Sequence, residues 1–145
     1  MIANEVQFRA TKAHLERFEK AARNLEARLG AKPSKLARVE VEAVRAQAGD
    51  LRAELDEYER LRSGAVSTFE GSSLAELATL LVKARIVRGW TQRRLAEALG
   101  VAEQQVQRYE STGYRSASLA RLCDVAAALD LIVAASAELR GPDAA

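Results

Sequence analysis

The chain has 145 residues, room for one domain or two small ones, and 48% of them are hydrophobic, ample for a buried core. Two prolines, sparse aromatics and a dominance of Ala, Leu, Arg and Glu favour a largely helical protein. The net charge is only +2, the single Cys123 excludes an intramolecular disulfide, and the single His14 excludes a histidine-based metal cluster or catalytic triad.

Nothing approaches the ~20 consecutive apolar residues of a membrane helix, and the first residues, with Glu5 and no long apolar run, do not read as a signal peptide. A lone thiol and no such segments point to a reducing cytoplasm. No glycine-rich phosphate loop, CxxC, HExxH or nucleophile elbow is present, so neither catalytic residues nor a cofactor or metal is expected.

From Thr11 to Arg62 the sequence is charged and helical. Leu15, Phe18, Ala22, Leu25 and Leu29 follow the 3-4 spacing of a coiled-coil seam. Gly30–Ala31–Lys32–Pro33 breaks the helix, with Pro33 placed to start the next. A second seam follows at Val41, Val44, Ala48, Leu51, Leu55 and Tyr58, with Gly49 as a local weakness. Two seams joined by a short loop predict an antiparallel coiled-coil hairpin over 1–62. Ser63–Ser73, rich in Gly, Ser and Thr, reads as a linker, with Val66–Phe69 a candidate short strand.

Helical patterns resume over Leu74–Arg88, Gln92–Leu99, Ala102–Glu110 and about Ser118–Leu129. Thr91 is a good N-cap, Leu95, Ala98 and Leu99 form an apolar stripe, and Gly100 ends that helix by accepting positive φ. Cys123, between Leu122 and Val125, reads as a core thiol, and His14 as solvated. Leu131, Val133, Ala135, Ala137 and Leu139 alternate with their neighbours, the period of a strand, which would need Val66–Phe69 or a second chain as partner. In the helix after Gly100, Glu103, Gln104, Gln105, Gln107 and Arg108 are polar around one apolar anchor, Val106. Amides and a guanidinium displayed from a fixed helix suit the reading of base edges in a major groove. Eight basic residues lie between Lys83 and Arg121 against three glutamates, a local excess suited to a polyanion.

The TQxxLAxxLGV run at Thr91–Val101, the helix after it and the closing Tyr109–Glu110 resemble the helix-turn-helix of Cro/C1-type repressors, the XRE family, over about Leu74–Leu131. The resemblance implies a mainly α protein. The hairpin read above leads into a lambda-repressor-like helix-turn-helix domain over 74–145, and the terminal alternation suggests a short β-strand at its end, a departure from the family, which often has a fifth helix there. The resemblance implies base contacts from Glu103, Gln104 and Arg108 and a phosphate contact from Gln92; by their charge Arg93, Arg94 and Arg115 are phosphate candidates, and Gln105 and Gln107 either contact phosphate or face water. Lys83 and Arg88 are further phosphate candidates, and Arg85 with Glu110 matches a structural ion pair. Ala102 departs from the family's usual Ser or Thr cap, and the longer loop after Tyr109 sets Tyr114 and Arg115 at its tip. The expected partner is double-stranded DNA, bound by a homodimer acting as a transcriptional repressor. The alternative is an antitoxin that masks a toxin with its hairpin or C-terminal strand.

Overall fold

The computed structural model describes residues 1–139. Among them are six helices and no strand: α1 (Glu5–Ala27), α2 (Lys35–Arg62), α3 (Leu74–Val87), α4 (Gln92–Leu99), α5 (Glu103–Ser111) and α6 (Leu119–Ala128). Five of the six begin on a side-chain cap, from Asn4, Ser34, Ser73, Thr91 and Ser118. Each oxygen accepts a backbone N–H that the first helical turn would leave unpaired. At α1 the cap is reciprocal, since Gln7 N–H donates to Asn4 Oδ1 at 2.9 Å and Ala3 N–H to Gln7 Oε1 at 2.8 Å. That box starts α1 six residues before Thr11. Pro33 stands outside α2, just before its Ser34 cap.

The hairpin forms on the expected seams, with Ala22, Val41, Ala48, Leu55 and Tyr58 buried and the other seam residues half-buried. Its antiparallel sense is written in the ion pairs: Arg62 meets Glu5, Arg52 meets Glu19 and Arg45 meets Glu26, so α2 residues descend as α1 residues ascend. At its base Phe8 packs on Tyr58 with ring centroids 5.3 Å apart. Lys83 Nζ reaches Glu57 at 2.7 Å, a bridge from α3 to α2 that takes this lysine out of the set facing a polyanion.

The four C-terminal helices close around Leu81, Leu95, Val106, Val125 and Leu129, each at most 1% exposed. Hairpin residues enter the same core: Leu55, Tyr58 and Leu61 from α2, and Ile2, only 3% exposed, from ahead of α1. In α4 the residue buried beside Leu95 is Ala96, whereas Ala98 faces solvent. Cys123 is likewise exposed, because α6 turns Val125 and Leu129 inward instead. Arg88 folds back on the end of α6, donating to the Leu129 and Asp130 carbonyls and pairing with the Asp130 carboxylate at 3.0 Å. The guanidinium thus satisfies carbonyls at a helix C-terminus, where a cation is favoured.

The strands suggested by alternation are absent. Leu131–Leu139 and Val66–Phe69 run without regular structure, and no backbone hydrogen bond joins them, although Leu131–Ala134 and Ser67–Ser72 border one groove. Alternating alanines bury too little surface to hold a two-strand ladder in water. Ile132 and Leu139 stand almost fully exposed. Residues 140–145, the end of the expected domain, lie outside the described residues.

Candidate nucleic-acid interface

The turn between α4 and α5 follows from a few residues. Thr91 Oγ1 accepts the Arg94 N–H at 3.1 Å and opens α4. Gly100, at φ 66° and ψ 34°, reverses the chain in a conformation that would strain a side-chain-bearing residue. Val101 N–H donates to the Ala96 carbonyl at 3.0 Å and seals the turn. Val106, wholly buried, then anchors α5 in the core, with Tyr109 packed against the same cluster. Alone among the six helices, α5 has no side-chain cap, since Ala102 offers no oxygen.

With Val106 inward, Gln104, Gln107, Arg108 and Ser111 stand exposed on one face of α5, spaced three and four apart. Among the described residues neither Gln104 nor Arg108 has a side-chain hydrogen-bond partner, so both forks can meet a ligand. Glu103 is more engaged: Arg93 Nε lies 3.4 Å from its carboxylate and Gln107 Nε2 donates to it at 3.3 Å. Gln105 is half-buried. Arg93 is largely exposed and Arg115 fully on the surface. Arg94 lies over the Trp90 ring, 4.7 Å from its centroid, which keeps its charge at the head of α4.

Behind this face lies a buried charged node. Arg85, 2% exposed, donates to Glu110 through Nε at 2.6 Å and Nη2 at 2.7 Å, and to the Trp90 carbonyl through Nη1 at 2.8 Å. Its Nη2 also donates to the Ala3 carbonyl at 2.7 Å. The two parallel bonds to Glu110 make a fork-on-fork pair, the strongest arrangement for these groups.

Gln92 belongs to this node and not to the surface. It is 8% exposed; its Nε2 donates to Glu110 at 2.7 Å and its Oε1 accepts from Asn4 Nδ2 at 3.3 Å. What Gln92 leaves toward a phosphate is its backbone N–H, at the positive end of α4. The partners supplied by Ala3 and Asn4 escaped sequence reasoning. The one signal for them was the Asn4-x-x-Gln7 capping pattern, which marks a helix start and not a docking site.

Tyr114 also departs from expectation. It adopts φ 56° and turns inward, 4% exposed, stacking on Tyr109 at 5.6 Å, so Arg115 alone marks the loop tip. Among the described residues its hydroxyl has no partner. Burial, reinforced by the Glu110 carboxylate, pushes its ionisation far above that of an ordinary phenol.

A short helix, a glycine turn and a second helix that bares amides and a guanidinium define a helix-turn-helix. Residues 81–131 match the helix-turn-helix family model, that of Cro/C1-type DNA-binding domains found in transcription regulators. No curated protein and no solved structure matches the chain. Among the described residues no helix is long and apolar enough to cross a membrane.

Proposed function

We propose that this protein reads a specific double-stranded DNA sequence and represses transcription in the cytoplasm, acting as a homodimer on a palindromic operator. The observation that carries this reading is the exposed pair Gln104 and Arg108 on a helix pinned by Val106. Gln104 bonds an adenine edge at two points and Arg108 a guanine edge, each contact discriminating by ~1–3 kcal/mol. Glu103 accepts from cytosine N4 once Arg93 turns to a phosphate. Arg93, Arg94 and Arg115, with Gln105 and Gln107 beside them, meet the backbone, and Gln92 acts from beneath through its main-chain N–H. A two-fold axis sets two such helices ~34 Å apart, one turn of duplex.

Selection of bound sequences from random duplex DNA tests this. The expected outcome is a palindrome with half-sites about one helical turn apart. Arg108→Ala and Gln104→Ala then relax single positions, while Arg93→Ala weakens all sequences alike and flattens the salt dependence. Featureless binding that these variants leave unchanged refutes it.

The second reading, an antitoxin that also represses its own promoter, is favoured by Leu36 and Val39 near the hairpin tip, 77% and 50% exposed. Three residues apart in α2, the two share one helix face and offer a small apolar patch to a protein partner. Copurification with the product of an adjacent toxin-sized reading frame supports it. A hairpin that binds no such product removes it.

A further inference from the structure

The segment ahead of α1 and the first turn of that helix lie against the parts of the domain that would face DNA. Val6 and Gln7 border one groove with Gln104, Gln107 and Arg108. Glu5 and Val6 border a second cleft with Thr91, Gln92 and Glu103, at the heads of α4 and α5. The segment is held by Ile2 in the core, by Arg85 on the Ala3 carbonyl and by Asn4 on Gln92. On the outer side Arg62 pairs with Glu5 at 2.7 Å.

From this placement we propose that the Ile2–Gln7 segment is an autoinhibitory latch, so that the hairpin's foot must leave the recognition helix before that helix enters a major groove. The inference rests on the DNA-binding reading above. Two physical arguments favour obstruction over an added DNA contact. The major groove, ~12 Å wide, admits a single α-helix of 10–12 Å diameter, and the turn of α1 lies beside the bared row of α5. Its chemistry is also wrong for a polyanion. The capping box has used the backbone N–H groups of Ala3 and Gln7, Val6 is apolar and 77% exposed, and Glu5 adds a carboxylate to the cleft that already holds Glu103. Docking also occupies the Gln92 side-chain oxygen with Asn4.

When the competent state is a minority, apparent affinity falls in proportion to its population. Weakening the latch therefore tightens DNA binding. The test uses the full chain, its selected duplex, and the variants Ile2→Ser and Asn4→Ala, with circular dichroism to confirm that each folds. Both variants are expected to bind about tenfold or more tightly than the parent, with Arg108→Ala abolishing the gain. In the unmodified protein, amide hydrogen exchange over Ala3–Gln7 is expected to speed up on DNA addition. Unchanged or weaker binding by folded latch variants, or stronger protection of Ala3–Gln7 in the complex, overturns the latch while leaving DNA recognition standing. Failure of every variant to bind any duplex overturns both.

Discussion

Replacing Glu110 by glutamine probes the buried node with almost no change of shape. The carboxylate accepts three hydrogen bonds, two from Arg85 and one from Gln92. Both side chains of the ion pair are at most 3% exposed, so water cannot take over when the charge is removed. The substitution leaves the Arg85 guanidinium buried without a counter-charge and sets an amide N–H₂ against other donors. Breaking a buried pair on one side costs ~3–5 kcal/mol. For a chain of this size 1 kcal/mol lowers the melting temperature by ~2–4 °C, so a drop of about 10–15 °C is expected. Thermal and guanidinium unfolding followed by far-ultraviolet circular dichroism reads it directly. Changing both partners, Arg85→Met with Glu110→Met, is expected to cost less than the sum of the two single changes, because neither charge is then stranded. A loss below about 1 kcal/mol for Glu110→Gln, or strict additivity in the pair, would show that the node contributes little and refute the reasoning.

Two further outcomes follow from the same core and its turns. Tyr114→Phe removes a buried hydroxyl that has no partner among the described residues and is expected to stabilise by about 1 kcal/mol, measured by urea unfolding. The parent should also lose stability as pH rises above the ~10 at which an unfolded tyrosine ionises, since burial holds the folded phenol neutral to higher pH. Below that pH the residue has no such effect, and the phenylalanine variant shows a shallower alkaline decline. Ala102→Ser gives α5 the cap oxygen it lacks, at a φ of −70° and ψ of 145° already suited to capping, for an expected gain of ~1 kcal/mol in the same unfolding assay.

Local chemistry made the helix-turn-helix legible. A threonine cap, a left-handed glycine and one inward valine each act within a few residues, and all three signals agree over Thr91–Val106. The coiled-coil seams were legible for a similar reason, since a 3-4 repeat sustained over several turns is hard to imitate. What escaped depends on distant partners. Ile2 carries no periodicity, so nothing near it shows that it joins a core built from Leu95 and Val106. Gln92 looks like a surface amide until Asn4 and Glu110 are brought to it. Tyr114 turns inward because its backbone takes a positive φ that tyrosine rarely adopts. The terminal alternation misled because period two states only which residues share a face; a strand also requires a second strand.

The foot of the hairpin also fixes an order of assembly. Its contacts join residues 82 and 88 positions apart, from Ala3 to Arg85 and from Asn4 to Gln92. Such distant pairing carries a larger loop-closure cost than the hairpin's contacts, which can form outward from its turn. During synthesis the coiled coil is complete once Arg62 has emerged, yet Arg85 and Gln92, which hold Ala3 and Asn4, are made later. Residues made before the hairpin are therefore seated after it. A ribosome-bound intermediate would carry a finished arm with an exposed apolar end, the state most prone to capture by a chaperone.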